Sequence, residues 1–141
     1  MKNKLLFCDV KIGEEMPRIA TYVKSRQLVM WAGASEDYME IHYDKDYAFA
    51  NGLKEPIVHG ALKTAMLSQY VKSWLGDSAI LKYFKCKYIG IDYVNTKITL
   101  KGEVKRKFIN GDKHIIECQV WTESELGEVT TTAIARLEYS Q

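Results

Sequence analysis

An aspartate and a histidine stand close together in SEDYMEIHYD, residues 35–44, and a second histidine follows in PIVHG, residues 56–60. Asp37 precedes His42 by five residues. A carboxylate and an imidazole are suitable general acid–base partners, because imidazole titrates near neutral pH and a carboxylate can accept its proton. Together they could hold one water molecule and deliver its parts to a double bond. Many ordinary surface loops show the same spacing, so the alternative of two polar loop residues stays open.

His59 and Gly60 stand at the predicted start of the longest helix, residues 60–75. The first backbone N–H groups of a helix have no acceptor within it and carry the positive end of its dipole. Such groups can stabilise a developing oxyanion, and glycine lets a ligand approach the backbone closely. The alternative is that Gly60 only serves a tight turn after Pro56.

Ser68 lies eight residues after Gly60, about two helical turns, so it projects on roughly the same side as the helix start. A serine inside a mostly apolar helix must bond either a backbone carbonyl or a group in a cavity. The first arrangement is the commoner one.

Other catalytic arrangements find no support in the sequence. It contains no Gly-x-Ser-x-Gly, Gly-x-Gly-x-x-Gly or Walker-type pattern. Cys86 and Cys118 lie in predicted strands without an activating base, and the three histidines lack metal-ligand spacing. We therefore expect neither a metal nor a cofactor.

The chain has 141 residues and a net charge of +2, and 47% of its residues are hydrophobic. This length predicts a single domain over residues 1–141 with a packed core. The short basic run at 105–107 is typical of a strand end, so nucleic acid is not an expected partner. No window approaches the length of a membrane span, and a membrane is not expected either.

The three cysteines are an odd number and lie far apart in sequence. They indicate neither a disulfide framework nor a zinc ribbon, and reduced thiols are typical of a cytosolic protein. The apolar run near the N-terminus is too short for a signal peptide. We therefore expect a cytoplasmic location.

Helical spacing and strand alternation predict an α+β fold. Short helices are expected at 26–34, ending near Gly33, and at 44–50, capped by Asp44. The main helix is expected at 60–75, ending at Gly76, and its wide apolar arc predicts burial on most sides. Strands are expected at 18–24, 81–91, 94–108, 113–122 and 128–139, with a type I′ hairpin at Asn110-Gly111. Together these elements predict a sheet curled around one helix, with exposed strand edges that could pair between subunits.

The order of these motifs resembles the MaoC-like acyl dehydratases, the (R)-specific enoyl-CoA hydratases of the hot-dog fold. The family pattern reads roughly Ala-Gly-x-Ser-Gly-Asp-x-Asn-Pro-Ile/Leu-His-x-Asp, followed by Pro-Ile-x-His-Gly. Here it is matched by AGASEDYMEIHYD at 32–44 and by PIVHG at 56–60. The resemblance covers essentially the whole chain and implies a long central helix wrapped by a curved antiparallel sheet, dimerised edge to edge.

The resemblance also implies roles for particular residues. Asp37 and His42 would hold the water that adds to the double bond of a trans-2-enoyl thioester, giving an (R)-3-hydroxyacyl thioester, or that leaves in reverse. The N–H of Gly60, next to His59, would bind the thioester oxygen, and Ser68 would shape the site. The substrate would be an acyl-CoA or an acyl-carrier thioester, and the assembly a homodimer or higher oligomer.

Two departures from the family pattern leave other functions open. The family Gly-Asp is Glu36-Asp37, and the family Asn-Pro is Met39-Glu40. Methionine cannot replace the hydrogen bonds of asparagine. A hot-dog acyl-CoA thioesterase, using Glu36 or Asp37 to activate water, is one alternative. A weakly active or non-catalytic partner subunit of a heteromer is the other.

Overall fold

A computed structural model describes residues 5–139. Its elements, in chain order, are β1 (Ile19–Tyr22), α1 (Ser25–Ser35), a 3-10 turn (Glu40–His42), α2 (Lys45–Ala50), α3 (Gly60–Leu75), a second 3-10 turn (Gly76–Ser78), β2 (Ala79–Tyr88), β3 (Lys97–Asn110), β4 (Lys113–Glu123) and β5 (Val129–Tyr139). Within the described range, no helix is both long and apolar enough to span a membrane.

The five strands form one antiparallel sheet in the order β1-β3-β4-β5-β2. Strands β3, β4 and β5 make a meander, β1 pairs with β3, and β2 returns to pair with β5. The predicted α+β arrangement of one long helix and a curved antiparallel sheet is confirmed. Strand β2 is an edge strand of ten residues, so it leaves a row of backbone groups that no strand within residues 5–139 pairs.

Helix α3 packs on the sheet through one stripe of its surface. Leu67, Val71 and Leu75 are buried there against sheet residues such as Ile116 and Leu137. Full burial of each such side chain contributes about 1.5–3 kcal/mol to folding. The predicted burial on most sides is confirmed: the exposed residues lie on one narrow face, and the other helix residues are buried or partly buried.

A second, smaller cluster lies between α1 and the segment that leads into α3. Val23, Leu28, Val58, Val94 and Ile98 are buried together there. Val58 thereby fixes the chain two residues before the start of α3. The histidine and glycine of the PIVHG motif follow it directly, at the N-cap and first residue of the helix.

The predicted hairpin between β3 and β4 is present, but its type differs. Asn110 pairs with Lys113, so the central residues of the turn are Gly111 and Asp112. Gly111 has φ of +63°, whereas φ of Asp112 is not positive. A type I′ turn requires positive φ at both central residues, so that prediction is wrong; positive φ at the first residue alone is the type II′ pattern.

Several predicted boundaries shift. Strand β2 covers 79–88 rather than 81–91, and β3 covers 97–110 rather than 94–108, because residues 89–96 form a loop that pairs with residues 57–58. Helix α1 ends near Gly33 as predicted, at Ser35, and Glu36 then takes the left-handed conformation with φ of +60°. The cap on α2 is confirmed, since the Asp44 side chain accepts from the N–H of Tyr47.

Candidate active site

Asp37 and His42 lie together just beyond α1, with Asp37 following its C-cap and His42 closing the 3-10 turn. Oδ2 of Asp37 is 3.9 Å from Nε2 of His42. This distance is too long for a direct hydrogen bond. The His42 side chain is 9% exposed whereas that of Asp37 is 46% exposed. The pair therefore combines a buried imidazole with a carboxylate at the open side of the site.

The tautomer of neutral His42 follows from the hydrogen bond that its Nδ1 makes. Nδ1 lies 2.7 Å from the carbonyl oxygen of Ile57. Because a carbonyl oxygen can only accept, Nδ1 carries the proton and donates it. Nε2 of the neutral ring is then an unprotonated acceptor that faces the Asp37 carboxylate.

The backbone of Met39 connects the two members of the pair. Its N–H donates to Oδ1 of Asp37 over a long 3.5 Å, and its carbonyl accepts from the N–H of His42 at 3.1 Å. Ser35 adds a contact of 3.4 Å from its Oγ to the N–H of Asp37. Met39 as a whole is 52% exposed, and its main-chain groups supply this framework.

His59 lies directly beneath His42. The two imidazoles stack with centroids 3.7 Å apart and planes 17° apart, and Nε2 of His59 lies 3.4 Å from the backbone carbonyl of Asp37. His59 is 1% exposed. Burial lowers the pKa of His59, and the nearby His42 lowers it further. A neutral His59 ring can therefore support both catalytic candidates without adding a charge.

Asp37, His42 and His59 each offer one possible metal-ligand atom, and these atoms lie within 4.8 Å of one another. An imidazole binds a metal through a lone pair in the plane of its ring, at about 2.1 Å for zinc. Two nearly parallel rings 3.7 Å apart cannot both direct such lone pairs at one ion. The arrangement therefore fits a site for protons and water better than a metal site.

Gly60 begins α3, so its N–H and the next two are free of helical acceptors. A Cβ added to Gly60 would lie 3.2 Å from the ring of Tyr88, which is tighter than ordinary contact. The Tyr88 hydroxyl lies 2.6 Å from Oγ1 of Thr64, one helical turn further on. Glycine at position 60 therefore makes room for an aromatic ring of β2 over the helix start, a contact that the sequence analysis missed.

Ser68 is half-buried, and its Oγ donates to the carbonyl of Ala65 at 2.9 Å. This is the local helix bond expected as the commoner arrangement. Among the described hydrogen bonds, none joins Ser68 to Asp37, His42 or Gly60. Its role in shaping the site stays a prediction.

The cysteines remain poor candidates for nucleophiles. Burial raises the pKa of the Cys118 thiol to about 12 and also raises that of Cys86. Thiols that stay protonated at neutral pH are weak nucleophiles. Both cysteines, with the exposed Cys8, are free.

Lys63 and Asp92 form a buried ion pair beneath the first turn of α3, which was not predicted from the sequence. Nζ of Lys63 lies 2.9 Å from Oδ2 of Asp92, and their side chains are 3% and 0% exposed. A signal was present: Lys63 precedes Leu67 by four residues and therefore shares the buried stripe of α3. A lysine in such a stripe needs a buried partner.

Comparison with known proteins agrees with this fold. The sequence profile of the family described as "MaoC like domain" matches residues 9–127. The 3-oxo-4,17-pregnadiene-20-carboxyl-CoA hydratase beta subunit of Mycobacterium tuberculosis is 31% identical over 94 residues, covering 66% of this chain and 72% of that protein.

Two solved structures are similar over nearly the whole chain. The ChsH1–ChsH2 complex from Mycobacterium tuberculosis matches with a TM-score of 0.81 and 28% identity, covering 92% of this chain and 98% of that chain. The (R)-hydratase from A. caviae involved in PHA biosynthesis matches with a TM-score of 0.84 and 22% identity, covering 93% and 98%.

Fold and geometry together define a hot-dog protein with an aspartate and a histidine beside a helix N-terminus. The chain belongs to the MaoC-like domain family. Membership supports hydratase or dehydratase chemistry, a lyase activity, in general terms.

Proposed function

We propose that this protein interconverts trans-2-enoyl and (R)-3-hydroxyacyl thioesters by adding or removing water. The observation that carries the proposal is the separation of 3.9 Å between Oδ2 of Asp37 and Nε2 of His42. Both atoms are acceptors when the imidazole is neutral and donates through Nδ1. One water molecule can donate a hydrogen to each, which leaves an oxygen lone pair free to attack.

In the hydration direction, the water oxygen forms a bond to C3 of the enoyl group. One water proton passes to the Asp37–His42 pair, and the π electrons of the C2=C3 bond move toward the thioester carbonyl. The pair then delivers a proton to C2, so that hydroxyl and hydrogen have both been added. Positioned proton transfer of this kind contributes about 10²–10⁴-fold to a rate.

The developing negative charge falls on the thioester oxygen. The free N–H of Gly60, at the positive end of the α3 dipole, is the proposed donor to it. His59 ties this helix start to the pair, because it immediately precedes Gly60 and stacks on His42. No cofactor takes part in the proposed reaction.

The proposed substrate is an acyl-CoA or acyl-carrier thioester, and the proposed assembly is a homodimer or higher oligomer. The long free edge of β2 supports oligomerisation, since pairing it with another strand satisfies its backbone groups.

A second candidate function is that of a partner subunit in a heteromer. The relative from Mycobacterium tuberculosis is named as a beta subunit, and one similar structure is a complex of two proteins. Strand β2 also carries exposed lysines at 82, 85 and 87. Like charges repel when two copies of such a strand pair with each other, so a partner with an acidic edge is favoured by charge.

The test is to mix the purified protein with crotonyl-CoA and longer trans-2-enoyl-CoAs and to follow the enoyl-thioester absorbance. A thiol assay runs in parallel, and the configuration of any 3-hydroxyacyl product is determined. The variants are Asp37→Asn and His42→Ala. Asp46→Asn and His114→Ala serve as controls that remove the same residue types from α2 and β4.

Loss of absorbance without free thiol, abolished in both site variants and kept in both controls, is the expected result. Release of free thiol would instead identify a thioesterase. No reaction across chain lengths, combined with binding to a second MaoC-like chain in size-exclusion chromatography with light scattering, would favour the partner-subunit function.

A further inference from the structure

The buried pair of Lys63 and Asp92 lies next to the proposed oxyanion site but has no place in the acid–base chemistry. Lys63 stands three residues after Gly60, and Asp92 lies in the loop between β2 and β3. Nζ of Lys63 also donates to the carbonyl of Gly90 at 3.1 Å. One cation thereby holds two residues of this loop.

Asp92 reaches both sides of the Gly60 turn. Its backbone carbonyl accepts from the N–H of Val58 at 2.8 Å, before the turn, while its carboxylate binds Lys63, after the turn. Two residues on, the N–H of Val94 donates to the carbonyl of Pro56 at 2.9 Å. The chain bend that presents the Gly60 N–H is therefore held from both ends by one aspartate.

Lys63 and Asp92, here called the clamp, are anchored on the sheet. Oγ1 of Thr130 donates to Oδ2 of Asp92 at 2.5 Å, and Thr122 lies 2.8 Å from Thr130 through their hydroxyls. Both threonines are at most 2% exposed. The carbonyl of Thr130 also accepts from the N–H of Gly90. Strands β4 and β5 thus fix the position of this loop relative to α3.

We propose that Lys63 and Asp92 are positioning residues that hold the Gly60 N–H, and the Ile57 carbonyl that orients His42, in the geometry needed for turnover. This inference rests on the proposed function. Ile57 lies next to Val58, so the bond to the Asp92 carbonyl acts on it directly. Small displacements of such groups can cost about a hundredfold in rate.

A purely stabilising role is the alternative, and the physical chemistry separates the two. Replacing a buried ion pair by apolar residues of similar size is often neutral or stabilising. Oδ1 of Asp92 has no partner among residues 5–139, which adds to the desolvation cost of this pair. The double variant Lys63→Met/Asp92→Val should therefore keep its stability and lose its positioning.

The experiment compares this double variant with Lys101→Met/Glu123→Leu, which removes a different ion pair, a partly buried one between β3 and β4. Three quantities are measured: amide exchange at Val58 by NMR, kcat and KM with crotonyl-CoA, and the thermal midpoint. A fourth readout is the red shift of bound 2,4-hexadienoyl-CoA in an Asp37→Asn background, which reports polarisation of the thioester carbonyl without turnover.

The double variant should fold with a near-unchanged thermal midpoint, and its Val58 amide should exchange about tenfold faster or more. Its kcat should fall about tenfold or more with KM little changed, and the red shift of the bound ligand should be smaller. The control should resemble wild type. Unchanged exchange, or faster exchange with unchanged kcat and red shift, overturns the proposal. Thr130→Val, which removes the hydroxyl that donates to Asp92 and contacts Thr122, provides the same readouts if the double variant does not fold.

The two proposals fail in different ways. Absence of turnover and of enoyl-CoA binding in wild type contradicts the proposed function, whereas exchange at Val58 still reports whether the clamp holds the turn. Turnover in wild type that persists in the double variant contradicts the clamp alone.

Discussion

The imidazole of His59 lies flat against that of His42, with centroids 3.7 Å apart and planes 17° apart. Protonation of both rings would place two positive charges in contact. The stack therefore favours states in which at most one ring is charged. Because His42 must exchange protons in the proposed reaction, His59 is the ring expected to stay neutral.

The first prediction concerns the pH dependence of stability. Burial and His42 hold the pKa of His59 below its ordinary value of 6.5, so the unfolded state binds more protons at acidic pH. The free energy of unfolding should then fall as the pH falls below 6.5. His59→Gln should show a smaller fall, measured by urea unfolding between pH 8 and pH 5.

The comparison of wild type with His59→Gln contains its own control. At pH 8 the ring is neutral in both states, so the difference between wild type and His59→Gln there reports lost packing alone. A difference that stays constant down to pH 5 would contradict the prediction.

The second prediction concerns the tautomer of His42. The carbonyl of Ile57 accepts from Nδ1, so the neutral ring should be the Nδ1–H form with Nε2 unprotonated. Long-range ¹⁵N–¹H NMR distinguishes the two nitrogens directly. Observation of the Nε2–H form at neutral pH would remove the acceptor on which the shared water depends.

The third prediction concerns Glu36, which has φ of +60°. A non-glycine residue in the left-handed region costs about 1–2 kcal/mol, partly offset by the greater unfolded-state entropy of glycine. Glu36→Gly should raise the free energy of unfolding by about 0.5–1 kcal/mol, measured by denaturant titration. Glu36→Ala, which removes the charge but keeps the Cβ, should bring no such gain; equal stability of the two variants would contradict the conformational explanation.

The fourth prediction concerns Met39. The main chain of this residue contacts both Asp37 and His42, and the residue is 52% exposed. Met39→Ala keeps those main-chain groups, so kcat with crotonyl-CoA should change by no more than about twofold, equivalent to about 0.4 kcal/mol. A tenfold loss would show that the side chain itself takes part, and Asp37→Asn, which the proposed function expects to be inactive, provides the reference.

Local patterns in the sequence were enough to predict the main elements and the order of the candidate site. Helix 60–75 and the long C-terminal strands follow from periodicities of 3.6 and 2 residues, which depend only on neighbouring residues. The Asp37, His42 and Gly60 motif is likewise compact along the chain, so its resemblance to the MaoC-like family could be recognised before any contact was known.

Turn conformation was predicted less well. Asn110-Gly111 correctly indicated a hairpin, but the register of β3 against β4 moved the turn by one residue and changed its type. Register depends on which side chains of the two strands reach the core together, and that is a property of the whole sheet.

The groups that hold the site in place come from distant parts of the chain. Ile57 meets His42 across 15 residues, and Asp92 meets Lys63 across 29. A sequence can state that a lysine in a buried stripe needs a partner, but it does not say which carboxylate the fold will bring there. Residue types and spacing therefore determined what chemistry is possible, and tertiary packing decided the tautomer, the stacking and the clamp, because these depend on distances between elements that only the folded sheet sets.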